Sequence, residues 1–205
     1  MTRGGLFLLF GLILAMLLPG SRGATAPAEI QIVRDGQAMA SIVLPDQPTP
    51  VARYAAQELV YHVAKATGAT LRVLPEAEAS GPGPLVYVGP CRAAKESGID
   101  VTRLPAEAFV LKSAGNHLFI AGNDSSGDPL DPDTRAGTVF GVYEWLEVNL
   151  KVRWLWPGEL GTYVPRTRTL TAGKMDRTST PRLLQRRVRA GLSFASQNPA
   201  LGFTP

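Results

Sequence analysis

Gly137–Pro165 reads GTVFGVYEWLEVNLKVRWLWPGELGTYVP and carries all three tryptophans of the chain. Val139, Val142, Tyr143, Leu146 and Leu150 recur at helical spacing, so about Thr138 to Leu150 is expected to be a helix. Phe140, Trp145 and Val148 lie off that stripe, leaving Glu144 and Glu147 as its only charges. A helix apolar on most sides is buried on most sides, so this one needs a second partner beyond a single sheet. Arg153–Trp156 follows as an aromatic run, and an extended backbone would put Trp154 and Trp156 on one face. From Pro157 the segment becomes a Gly/Pro-punctuated loop. Helix, strand and turn packed this closely indicate a domain edge that faces a ligand or a neighbouring domain.

Upstream, Glu29–Val33 and Ala38–Leu44 are β-rich runs separated by Arg34-Asp35-Gly36-Gln37, and Asp-Gly is a hairpin signal. Thr49 is placed to cap, and Pro50 to open, a helix that runs to Thr67 and stops at Gly68. Its apolar face is Ala52, Ala55, Ala56, Leu59, Val63 and Ala66. Thr70–Leu74 and Leu85–Gly89 are short apolar runs on either side of the Ser80–Pro84 loop, and both are expected to be strands. Ala108–Ser113 and His117–Gly122 flank a turn and make a second hairpin. The loop 123–136 approaches the length at which loops become functional. These elements, with no repeated βαβ unit, indicate an α+β domain: a mixed sheet with two main helices packed on one face.

The N-terminal end is set apart from this domain. Arg3 supplies a positive charge ahead of an uncharged run, Leu6–Leu18, too short to span a hydrocarbon core of about 30 Å. Residues 1–23 are expected to be a cleaved signal peptide, with cleavage after Gly23 preferred to cleavage after Ala26. The protein is then secreted or periplasmic, without a stable membrane anchor. Cys91 is the only cysteine, so no intramolecular disulfide is available, and no nucleophile signature surrounds it.

Charge divides the chain unevenly. Residues 24–150 carry 9 Lys/Arg against 15 Asp/Glu, whereas residues 151–205 carry 10 against 2. The basic residues Arg182, Arg186, Arg187 and Arg189 gather late, but export and the lack of interleaved aromatics argue against a nucleic-acid partner. An acidic sugar is the more compatible anion, since arginine pairs with carboxylates bidentately.

No catalytic constellation is legible. His62 and His117 lack nearby ligand pairs, so no metal or cofactor is expected. Asp124, Asp128, Asp131 and Asp133 match no EF-hand spacing and are expected to form a solvated acidic loop. Glu144 and Glu147 are expected on a solvated helix face rather than as a glycosidase pair. Trp154 and Trp156 suit either a sugar platform or a wedge between domains. The candidate sugar-contact or interdomain residues are Arg153, Trp154, Trp156, Arg187 and Arg189.

Several motifs in order resemble the N-terminal domain of family 67 alpha-glucuronidases and the related second domain of beta-hexosaminidases. They are Ala55-Ala56-Gln57-Glu58-Leu59, Ala66-Thr67-Gly68, Val86-Tyr87-Val88-Gly89, Ala108-Phe109-Val110-Leu111, Leu118-Phe119-Ile120-Ala121-Gly122 and Gly137–Leu146. The Arg153-Trp154-Leu155-Trp156-Pro157-Gly158 run is similar to large secreted bacterial proteins that join this domain to a glycosidase barrel. The resemblance implies a domain over residues 29–172 that is itself non-catalytic. Residues 173–205 would then be a linker and the truncated start of a (β/α)₈ catalytic barrel. No catalytic residue of those families maps onto this sequence, so the chain as given is expected to resemble part of a glycosidase while lacking its activity. The expected function is a non-catalytic accessory domain of a secreted glycoside hydrolase, with a missing or separate barrel as partner. The alternative is a free-standing carbohydrate-binding or interaction module that takes polysaccharide.

Overall fold

A computed structural model describes residues 29–182; the expected signal peptide 1–23 and the residues from 183 onward, Arg187 and Arg189 among them, lie outside the described residues. In chain order the elements are β1 (Ile30–Arg34), β2 (Gln37–Ala38), β3 (Ser41–Leu44), α1 (Pro50–Thr67), β4 (Arg72–Pro75), β5 (Leu85–Val88) and α2 (Arg92–Glu96). There follow β6 (Phe109–Ala114), β7 (His117–Gly122), α3 (Gly137–Trp145), β8 (Arg153–Trp154), β9 (Thr162–Tyr163), β10 (Leu170–Ala172) and β11 (Asp176–Ser179).

The main sheet has six strands in the order β11-β6-β7-β5-β3-β4. Its β4, β3, β5 and β7 run parallel, while β6 and β11 add antiparallel neighbours, so the sheet is mixed as expected. Strand alternation then sorts the core. Ile42, Val86, Leu118, Ile120 and Leu111 face α1 and α3, whereas Val43, Tyr87, Phe119 and Val110 face Cys91, Ala94 and Ile99 around the short helix α2. The two main helices share one face, and α2 covers part of the other.

α1 forms as its sequence dictates. Thr49 Oγ1 accepts the Ala52 N–H at 3.1 Å, Pro50 opens the first turn, and Gly68 at φ 78° closes the last with its N–H on the Ala64 carbonyl. Ala52, Ala55, Ala56, Leu59, Val63 and Ala66 are all buried. His62 is buried as well, at 2% exposure.

Two departures from expectation concern strands. The first hairpin turns at Asp35-Gly36 as anticipated, but β3 leaves it to join the large sheet, while β1 pairs with β2 and β10 in a second, three-stranded sheet. β11 lies within the stretch 173–205 expected to be linker and barrel start, and it pairs with β6 from Asp176↔Lys112 to Ser179↔Phe109. The second helix also changes pitch: it is α-helical to Trp145 and continues as a π-helical turn, Leu146–Leu150, closed by Lys151 at φ 60°. Among the described residues no helix is long and apolar enough to cross a membrane.

Candidate functional site

α3 is laid close against the sheet at Gly141, which has no side chain. A Cβ on Gly141 would stand 3.0 Å from Ile120 Cγ2 and 3.2 Å from Phe109 Cδ2. Trp145, Leu146 and Val142 are buried on that inner side, but the outer side is less covered than the sequence suggests, with Phe140 38% and Val148 50% exposed. The second partner of α3 is in part the β8–β9 ribbon, which touches α3 at Tyr143 and α1 at Tyr61, His62 and Lys65.

Trp154 anchors that ribbon. Its ring meets Tyr143 edge-on at 5.0 Å between centroids and His62 at 5.5 Å. Beneath it, Tyr143 donates to Glu58 Oε2 at 3.1 Å, and His62 Nδ1 lies 2.9 Å from the Glu58 carbonyl oxygen. Burial pushes the Tyr143 phenol up, so it stays a donor. At the ribbon's turn, the Glu159 carboxylate accepts from both Tyr61 and Lys65 of α1. These hydrogen bonds raise the Lys65 pKa and lower that of Glu159.

β8 is extended only as far as Trp154; Trp156 belongs to the turn that follows. That turn closes on Gly161, where a Cβ would sit 1.9 Å from the Trp156 carbonyl oxygen. Trp154 and Trp156 therefore do not form one platform. Trp154 lines a cleft of about 500 Å³ with Phe109, Phe140, Tyr143, Glu144 and Glu147. Trp156 stands outside it, with Leu155, Leu160 and Tyr163 on the ribbon.

The cleft's carboxylates are not freely solvated. Glu144 Oε1 lies 2.8 Å from Arg177 Nη1 of β11, an ion-pair distance without hydrogen-bond alignment, and Glu147 Oε1 lies 3.5 Å from Arg153 Nη1. Arg153 also donates to the Glu147 and Val152 carbonyls, so its guanidinium is held at the rim. Glu144, Glu147, Phe140 and Arg177 were not among the sequence candidates. Glu144 and Glu147 were visible as a helical pair, but Arg177 falls in a stretch without a strand signal.

Cys91 is 2% exposed, and burial pushes its thiol up to about 12, which leaves it an inert core residue. Among the described residues, no cluster of three or more His, Cys, Asp or Glu side chains is placed to hold a metal.

Asp124 departs from the solvated loop expected for it. Its carboxylate accepts the Thr138 N–H at 2.8 Å and the Thr138 hydroxyl, capping the start of α3 from 14 residues away. The cap and the helix N-terminus both favour the anion, but burial outweighs them and raises the pKa from 3.8 to about 6. Between those values the folded state holds a proton that the unfolded state has lost. This contribution to stability is therefore full below pH 3.8 and is lost as pH rises through about 6, by up to roughly 3 kcal/mol. Urea midpoints of the wild type relative to Asp124→Asn should fall across that window, and a flat difference would refute the shift.

No protein-family model matches the chain, and no curated protein matches it. Among solved structures it is similar to a family GH115 4-O-methyl-alpha-glucuronidase with specificity for decorated arabinogalactans, at 21% identity and TM-score 0.45, over 73% of this chain and 18% of that one. It is similar to the GH20 beta-N-acetylhexosaminidase of Streptomyces coelicolor A3(2), at 15% identity and TM-score 0.46, over 78% and 25%. It is also similar to a GH138 enzyme targeting pectin rhamnogalacturonan II, at 14% identity and TM-score 0.34, over 53% and 10%. The structures it resembles are glycoside hydrolases, and the chain spans a quarter or less of the length of each.

Proposed function

We propose that this chain supplies a non-catalytic accessory domain of an exported carbohydrate-active protein, and that the β8–β9 ribbon is the face that packs on a (β/α)₈ catalytic domain. The observation that carries the proposal is the ribbon's apolar tip. Leu160 is 91% exposed, Leu155 66%, Tyr163 59% and Trp156 57%, all within nine residues. Single exposed apolar residues are ordinary, whereas a run of them on one projecting element marks an interaction surface. Trp154 and the Glu159 contacts fix the ribbon on α1, so its tip is presented in one position and loses less entropy on docking. The order of motifs from Ala55 to Gly158 supplies the class of partner, through its resemblance to the accessory domains of secreted glycosidases.

Two measurements test this. The purified chain should not hydrolyse aryl glycosides or aldouronic acids, and turnover that survives purification would contradict a non-catalytic role. Leu160→Asp combined with Trp156→Asp should change the urea-unfolding free energy by no more than about 1 kcal/mol, the additive scale for surface substitutions. The same pair should sharply reduce binding of a hydrophobic dye. A loss above about 2 kcal/mol would mean that the tip is packed against its own domain rather than presented to another.

A further inference from the structure

We propose that the cleft bounded by α3, β6 and the ribbon is a saccharide site that accepts one neutral pyranose ring. The proposal rests on the carbohydrate-related reading of the domain, but not on the docking role of the ribbon tip. The cleft's walls are Trp154, Phe140, Tyr143 and Phe109, and its volume of about 500 Å³ accommodates a small ligand. Trp154 is 40% and Phe140 38% exposed, so both offer aromatic surface to the C–H face of a sugar.

The rim determines which sugar fits. It carries two carboxylates, Glu144 and Glu147, and two guanidiniums, Arg177 and Arg153, in pairs at 2.8 and 3.5 Å. A carboxylate has about four acceptor positions and a guanidinium five donors, so the single ion pairs of Glu144, Glu147 and Arg177 leave most of their capacity unused, while Arg153 also donates to two carbonyls. Glu144 Oε1 is withdrawn from solvent yet has no aligned hydrogen bond. Side chains of Arg177, Glu147 and Arg153 remain 60%, 53% and 47% exposed and can reach a ligand.

Donors and acceptors paired at the rim of an aromatic-walled cleft match a polyol, whose hydroxyls both donate and accept. The formal charges cancel. A cation would gain nothing from carboxylates already neutralised by arginine. A sugar acid would be limited to the guanidinium donors left over and would place its charge beside Glu144 and Glu147. A neutral ring meets neither cost.

The chain's tryptophans report on the proposal separately: Trp145 is in the core, Trp154 in the cleft and Trp156 on the ribbon turn. Their indole N–H resonances should be followed in the full chain during titration with methyl β-D-glucopyranoside, methyl β-D-galactopyranoside and methyl β-D-xylopyranoside. Sodium D-glucuronate at matched ionic strength is the charged comparison. At least one neutral glycoside should shift Trp154 saturably while Trp145 and Trp156 stay in place. Glu147→Gln, whose fold is checked by its urea midpoint, should raise the half-saturation concentration about tenfold. The proposal is overturned if Trp154 responds to none of the glycosides, if Trp156 alone responds, or if glucuronate binds more tightly than the neutral rings. None of these outcomes bears on hydrolysis or on the ribbon tip, so the docking proposal stands or falls on its own measurements.

Discussion

Trp145→Ala should destabilise the domain by about 3–5 kcal/mol, the range for emptying a buried tryptophan site, and lower the melting temperature by roughly 10 °C. The ring is 1% exposed and sits where α3 gives way to the π-helical turn, in the core shared by α1, α3 and the three-stranded sheet. No single neighbour can collapse into the space, because those three layers are each held by their own hydrogen bonds. Trp145→Phe should cost far less. The indole Nε1 is buried without a hydrogen-bond partner, so phenylalanine removes a desolvated donor along with part of the ring, and the two effects oppose each other. Equal losses for Ala and Phe in urea denaturation would show that the indole N–H has a partner after all. A loss under about 1 kcal/mol for Ala would place Trp145 outside the core.

What the sequence made legible is what local signals determine. The ends of α1 follow from Thr49, Pro50 and Gly68, whose effects act within one helical turn, and its buried face follows from residue spacing alone. The β6–β7 hairpin follows from two apolar runs about a short turn. The failures are nonlocal. Ala38–Leu44 reads as one strand because β propensity does not record that the chain changes sheets at Met39-Ala40. β11 reads as linker because Asp-Arg-Thr-Ser has no apolar alternation; an edge strand largely open to solvent is held by its ladder to β6 instead. Asp124 reads as one acidic loop residue among several, since nothing near it in sequence announces a cap on Thr138.

The candidate site divides in the same way. Pairing Trp154 with Trp156 on one face needs an extended run to Trp156, whereas β8 ends two residues earlier, at Trp154. Glu144 and Glu147 read from the sequence as neighbours on a helix. Their arginine partners come from β11 and from β8, and only the folded chain brings these to the same rim.

The other large effect is expected at Gly122→Ala, which should cost more than about 3 kcal/mol although it adds a single methyl group. At the end of β7 a Cβ would lie 2.3 Å from Gly137 C, 2.4 Å from Thr138 N and 2.7 Å from Gly137 Cα. All three are backbone atoms, so no rotamer change relieves the clash. The start of α3 would have to retreat by about an ångström to restore an ordinary carbon contact. Gly137 cannot move freely, because its own Cβ position is 2.6 Å from the Ala108 carbonyl oxygen on the other side. A retreat would also break the Gly122 N–H bond to Thr138 Oγ1 at 3.0 Å and pull Thr138 from the Asp124 carboxylate. The cap, the helix start and the strand end are thus one joint, and α3, which bears Phe140, Tyr143 and Glu144 and continues into the π-helical turn with Glu147, hangs from it. Gly115→Ala is the control: at φ 56° it is strained, yet nothing lies within 4 Å of the added methyl, so a loss near 1 kcal/mol is expected there. If urea denaturation gives the two variants the same loss, backbone conformation rather than the β7–α3 contact sets the cost, and the joint does not hold α3 in place.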